Sequence, residues 1–137
     1  MHLYVNTCNE DFVSLALFSD DMENKKRIFI KKTFKKNNFL DAIEKFLKKQ
    51  NLKPENLTGM LCVKGPGKFS SVRAGVAVAN AMSWFLNIPI SELLNNEIPK
   101  EEKLFWNFLK KKIDIRKQKH IIEPNYGRDP NITVMKK

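Results

Sequence analysis

Residues 63–75, VKGPGKFSSVRAG, hold the densest set of groups that could do chemistry: three glycines, two lysines and two adjacent serines. A nucleotide-binding loop reads G-x-x-x-x-G-K-[ST]. Its backbone N–H groups cradle the phosphates, its lysine reaches them, and its hydroxyl takes the magnesium. Setting Gly67-Lys68 on that motif places Cys62 where the first glycine belongs and Phe69 where the hydroxyl belongs. Two of the required positions fail, so the loop needs another explanation.

Other catalytic constellations are equally thin. The chain has two histidines, His2 and His120, at opposite ends and without the i, i+4 spacing of a helical metal site. No metal site is expected. Ser70 and Ser71 have no histidine near them in sequence to act as a base, and are expected instead to cap a helix whose first N–H groups need acceptors. Asp11, Asp20 and Asp21 fall in turn-like stretches, where carboxylates are common without any chemistry. Cys8 and Cys62 sit in apolar, strand-like surroundings and are read as buried thiols. No catalytic residue and no cofactor is assigned.

The elements that must position these groups follow from composition and period. A chain of 137 residues with 42% apolar and 29% charged content suits one soluble domain with a real core. No stretch reaches the ~18–20 apolar residues of a membrane span. The start MHLYVNT has neither the basic region nor the long apolar segment of a signal peptide, so a cytoplasmic protein is expected. Net charge is +10, yet 21 of the 25 basic residues are lysine and 14 residues are asparagine. That bias is what an AT-rich coding sequence yields, so charge alone does not establish a nucleic-acid site.

HLYVNT and FVSLALFS, separated by the polar CNED, read as a hairpin, and KKRIFIKKTF (25–34) as a third strand of an antiparallel meander. The period then changes. Phe39, Leu40, Ile43, Phe46 and Leu47 recur at steps of three and four, which predicts an amphipathic helix over about 38–51 with Asn37 or Asn38 as N-cap. A short buried strand is expected at 58–63, a helix from about 70 to 86, and a third helix in EEKLFWNFLKKKI. On that helix Leu104, Phe105, Phe108 and Leu109 would share a side. A last strand is expected at 120–123.

The second helix is unusual. Between Val72 and Leu86 its only polar residues are Arg73, Asn80 and Ser83, with Arg73 and Asn80 within about 20° of each other around the axis. The rest is apolar, much of it small: Ala74, Gly75, Ala77, Ala79 and Ala81. One sheet covers only a stripe of such a helix, and small residues allow a second helix to approach closely.

GPGKFSSVRAGVAVANAMSWFLNIPI resembles the signature of the TsaB family, the non-catalytic dimerisation subunit of bacterial N6-threonylcarbamoyladenosine synthesis on tRNA. Gly65, Pro66, Gly67, Phe69, Arg73 and Gly75 fall in register with that signature, and Ile88-Pro89 closes the match. LYVNTCNEDFVSLALF is similar to the family's first hairpin, so the match covers residues 1 to about 93; EPNYGRDP more weakly resembles the ending of some members. Three departures stand out. Asn6 replaces the family's usual aspartate, Lys68 the loop hydroxyl, and Ser70-Ser71 a Thr-Gly pair.

The resemblance implies an α/β protein: a single actin-like (ASKHA, ribonuclease H-like) half-fold, with a mixed sheet of about five strands packed with helices and a C-terminal helical extension. Residues 1–98 would form the actin-like domain, and residues 99–137 a truncated C-terminal helix and tail. It makes GPG a sharp strand-to-helix turn, with backbone freedom at Gly65 and Gly67, and Gly65, Pro66, Gly67, Phe69 and Arg73 a structural loop. Because Asn6-Thr7-Cys8 lacks a carboxylate to organise Mg²⁺, no independent ATPase activity is expected.

The implied partner is a catalytic TsaD-type subunit, with a TsaE-type ATPase docking on the composite surface and tRNA reached mainly through the complex. The expected interface is Val72, Gly75, Val76, Ala79, Met82 and Ser83 of the second helix with Ile43 and Leu47 of the first. In isolation the same surface would form a symmetric homodimer. The competing reading is a basic RNA-binding module whose clusters, such as Lys31-Lys32, Lys35-Lys36, Lys110 to Lys112 and Arg116 to Lys119, contact tRNA phosphates. Few aromatics interleave these clusters, so base stacking is not expected.

Overall fold

The computed structural model describes residues 1–32, 39–114 and 122–125, with the side chains of Phe69 and Asp114 excepted. Among these residues five strands form one sheet: β1 (His2–Asn6), β2 (Phe12–Phe18), β3 (Lys25–Lys31), β4 (Gly59–Val63) and β5 (Ile90–Leu93). Their order is β3-β2-β1-β4-β5. The first three strands form the expected antiparallel meander, with Val5 opposite Leu15 and Leu15 opposite Ile28. β4 then joins β1 in parallel, pairing Val5 with Cys62, and β5 extends the parallel half. β1 and β4 are interior strands buried along their whole length; GMLCV is accordingly apolar, and HLYVN is apolar between the buried polar His2 and Asn6.

Among the described residues three α-helices cover the sheet: α1 (Phe39–Lys49), α2 (Phe69–Leu86) and α3 (Glu102–Asp114). α1 and α2 lie on one face. Phe39, Ile43, Phe46 and Leu47 of α1 are buried, and α2 rests on β1, where Thr7 Oγ1 donates to Ser71 O at 2.7 Å. α3 lies on the other face. Phe105 meets Tyr4 edge-on at 5.0 Å, and Trp106 meets Phe18 at 6.2 Å. The alternation of β1 accounts for both faces, with Leu3, Val5 and Thr7 toward α1 and α2 and with His2, Tyr4 and Asn6 toward α3.

Several expectations are corrected. The buried stripe of α3 is Phe105, Trp106, Leu109 and Ile113, whereas Leu104 is 51% exposed, because the helix turns its Phe105 side toward Tyr4. The N-cap of α2 is Lys68, without a side-chain cap bond, so neither serine caps the helix. Residues 122 and 123 are irregular, and the rest of the strand expected there lies outside the described residues. So do Asn37 and Asn38, the expected caps of α1. α2 ends at Asn87, a residue tolerant of the left-handed conformation it adopts (φ 55°, ψ 49°). Among the described residues no helix is long and apolar enough to cross a membrane.

Candidate functional site

Two regions compete for function: the end of the sheet where β1 and β4 deliver the GPG loop, and the outer face of α1 and α2. The first is packed with the protein's own groups. Gly65 has φ +124°, and a β-carbon there would stand 1.8 Å from Asn125 O. Only glycine fits, because the segment Ile122–Asn125 lies directly on the turn. Asn125 N–H donates to Lys64 O at 2.6 Å, and the Asn80 amide grips the Ile122 backbone through two 2.9 Å bonds. Gly67 abuts Cys8. The two loop glycines thus allow close backbone approach, and their role is packing.

Asn6 ties this end together. Its Oδ1 accepts from Cys8 N–H at 2.9 Å, and its Nδ2 donates to Tyr4 OH at 3.1 Å and to Asn95 Oδ1 at 3.3 Å. An aspartate could not make the last two contacts as a donor. The Lys32 ammonium donates to Thr7 O at 3.0 Å, to Asn9 O, and to Ser71 Oγ at 3.1 Å. It therefore pins the first hairpin turn to the start of α2. Burial holds the Lys32 pKa below its ordinary value. Burial also pushes the Cys8 thiol up to about 11 and the Tyr4 phenol up to about 12, and raises the Cys62 thiol as well. Both cysteines are free and buried, as the sequence reading expected, and neither has the lowered pKa of a nucleophile. No group of three or more His, Cys, Asp or Glu side chains clusters as metal ligands among the described residues.

The second region is open. Trp84 and Phe85, on the outer side of α2, are 77% and 81% exposed. Beside them a groove of about 630 Å³ runs between α1 and α2, walled by Leu40, Ala77, Ala81 and Trp84, floored by Ile43 and Leu47, with Glu44 and Glu55 among its lining residues. The interface residues expected from sequence sit differently. Val72, Val76, Ala79, Met82 and Ser83 are buried in the protein's own core. A β-carbon at Gly75 would lie 2.2 Å from Thr7 Oγ1, so Gly75 lets α2 approach the end of β1. Those positions form the i, i+3, i+4, i+7 stripe that meets the sheet. Of the expected set, Ile43, Leu47 and Met82 reach the groove, as its lining from within. Arg73 is exposed, and Phe69 begins the helix.

Sequence reading passed over Trp84 and Phe85. The available signal was two adjacent large aromatics on a helix whose opposite stripe holds the glycine. It also passed over the side chain of Asn80 as a clamp on the tail, although Asn80 stood out as a polar break in the helix.

A mixed sheet in the order β3-β2-β1-β4-β5, with two helices on one face and a third on the other, defines an actin-like, ribonuclease H-like half-fold. The solved structures agree. The chain superposes on YeaZ from Pseudomonas aeruginosa with a TM-score of 0.63 and 18% identity, covering 71% of this chain and 46% of that one. A crystal structure described as that of an uncharacterized protein with similarity to peptidase YEAZ from Pseudomonas aeruginosa gives 0.59 and 18% identity, covering 68% and 42%. In sequence, the chain is 34% identical over 58 residues to the tRNA threonylcarbamoyladenosine biosynthesis protein TsaB of Bacillus subtilis (strain 168). That match covers 42% of this chain and 25% of the relative. The family profile described as "TsaD: tRNA N6-adenosine threonylcarbamoyltransferase" matches residues 33–95. The chain thus resembles TsaB in sequence and YeaZ in fold, and it spans less than half the length of these relatives.

Proposed function

We propose that this chain is a non-catalytic interaction subunit in the synthesis of N6-threonylcarbamoyladenosine on tRNA, and that it docks a TsaD-type catalytic subunit on the outer face of α1 and α2. The observation that carries the reading is the exposure of Trp84 and Phe85 beside an apolar groove, on the helix that holds the TsaB-like signature. Burying two such aromatics is worth roughly 3–6 kcal/mol before the costs of association. Large rigid aromatics at the centre of a patch are the usual carriers of binding energy.

In this reading the packed end of the sheet replaces a nucleotide site, and the chain works without a cofactor of its own, in the cytoplasm. Residues 1–98 are the docking unit and residues 99–137 its C-terminal extension, with α3 laid on the sheet of that unit. A TsaE-type ATPase meets the assembled pair, and tRNA is engaged mainly through it. Without the partner, two copies meet through the same face.

The test is co-expression of the tagged chain with a TsaD-type subunit, followed by affinity capture and sedimentation. A stoichiometric complex in which Trp84 and Phe85 become protected from solvent is expected. Failure to capture that subunit, with the chain folded, overturns the proposal.

A further inference from the structure

We propose that the α3-side face of β2 and β3 is a stacking platform for unpaired bases of single-stranded RNA. On this face β2 presents Phe12 and Ser14, and β3 presents Lys25, Arg27, Phe29 and Lys31, by the two-residue alternation of a strand. α3 covers only part of it. Phe105 lies 3.6 Å from the Arg27 guanidinium, and beyond that point Phe29 is 59% exposed and Phe12 is 40% exposed.

The register sets the two rings side by side. Phe12 pairs with Lys31 and Ser14 with Phe29, so the aromatics are diagonal neighbours, roughly 7–8 Å apart and within reach of one ligand. Cations interleave them. Arg27 stands 4.7 Å from the centre of the Phe29 ring and is held by Ser14 Oγ at 3.3 Å and Glu102 at 3.8 Å; Lys31 is opposite Phe12, and Lys25 lies at the far end of β3. Glu10 and Asp11, exposed at the hairpin tip, repel phosphates from that end and leave the Lys25–Lys31 edge as the backbone track.

A protein-docking patch would offer a wider apolar area than two rings set among charges. A ring-and-cation pattern on a sheet is what single strands need, since every base has a face to stack and every linkage a charge to neutralise. The lysines along β3 also discourage another strand from adding to this edge. The choice of RNA over DNA rests on the tRNA reading above; the platform itself does not.

The experiment measures anisotropy of a short labelled adenosine-rich RNA strand with the full chain across a salt series, beside DNA of the same sequence and a blunt RNA duplex. RNA strand binding above both controls is expected. Replacing both aromatics (Phe12→Ala with Phe29→Ala) should weaken it about tenfold or more without changing the salt slope. Lys31→Gln should lower the slope by about 0.7. Phe29→Tyr should retain binding, which separates stacking from a fold defect.

Wild-type affinity in the double alanine variant overturns the platform, as does equal binding of the duplex. Equal binding of DNA overturns the assignment to RNA. Loss of TsaD-type capture with RNA binding unchanged in the double alanine variant overturns the platform in favour of a protein surface. Trp84→Lys should leave RNA binding at the wild-type level, so a failure of the subunit reading registers separately.

Discussion

The two halves of α2 lie in opposite environments. At its N-terminal half the helix is pressed onto β1, with Gly75 against Thr7, Ser71 bonded to Thr7 and Lys32, and the tail segment Ile122–Asn125 lying across the preceding turn. At its C-terminal half the same helix lifts Trp84 and Phe85 into solvent beside a groove. At the first end the side chains of Asn6, Thr7, Lys32 and Ser71 are bonded to one another or to nearby backbone. The second end leaves two of the largest apolar side chains uncovered. The packed end is closed by the chain's own groups, whereas the outer helix face is open to solvent, and the proposed docking rests on that contrast.

The largest expected effect breaks the packed half. Gly75→Leu should unfold the protein or cost more than about 3 kcal/mol, because even the β-carbon collides with Thr7, the buried residue that follows the central strand β1. Ala77→Leu, two residues on but on the exposed side, should change stability by less than about 0.5 kcal/mol. Urea denaturation compares the two. A folded Gly75→Leu protein of wild-type stability would show that α2 is not seated on β1 as described.

This contrast also marks how far the sequence could be read. The change of period from two to 3.6 located β1, β2, β4 and all three helices to within a residue or two, because alternation and the i, i+3, i+4 stripe are local signals. β3, expected to run to 34, ends at Lys31, and residues 33 and 34 lie outside the described residues. Orientation is not local. α2 is apolar nearly all round, so period alone cannot tell which side meets the sheet, and the residues expected at a partner interface are its core stripe. Gly75 held the answer, since the smallest residue marks the closest approach. On α3 two overlapping stripes, 104–108 and 105–109, were equally apolar, and only contact with Tyr4 and Arg27 decided between them. The tail's grip on Asn80 joins residues 42 apart in sequence, beyond any periodic signal.

The open half should respond in the reverse manner. Trp84→Lys combined with Phe85→Glu should weaken capture of a TsaD-type subunit by about a hundredfold, in line with the loss of two aromatic anchors. Stability should stay within about 0.5 kcal/mol of wild type. Titration calorimetry and urea denaturation on the same samples check both. Capture that survives the double substitution moves the interface off this face.

Alkaline pH probes the dryness of the packed end. The Cys8 thiol rises from 9.0 to about 11 and the Tyr4 phenol from 10.0 to about 12, both chiefly through burial, and Cys62 rises for the same reason. Groups raised in the folded state add stability that is complete below their unfolded values and is lost as pH climbs through the folded ones. The urea midpoint should therefore hold to about pH 9 and fall steadily from there to pH 12. Thiol reagents at pH 8 should modify neither cysteine without denaturant. Rapid modification of Cys8 would mean that water reaches the turn between β1 and β2.

The smallest effect expected is also the most specific to this chain. Asn6→Asp introduces a carboxylate and removes the donor that Asn6 offers to Tyr4 OH and Asn95 Oδ1. Tyr4 can turn its hydroxyl to donate to the new carboxylate, and the Asn95 amide can rotate, so the loss should stay near 1 kcal/mol at neutral pH. The new carboxyl is buried, which disfavours its charged form and raises its pKa in the fold. A carboxyl raised in the folded state favours folding where it is protonated, so the deficit against wild type should shrink as pH falls and be largest above neutrality. Urea midpoints of the two proteins across a pH series measure that difference. A deficit that grows on acidification would mean that the carboxylate is welcomed at this position, and the end of the sheet is then ready to organise a cation.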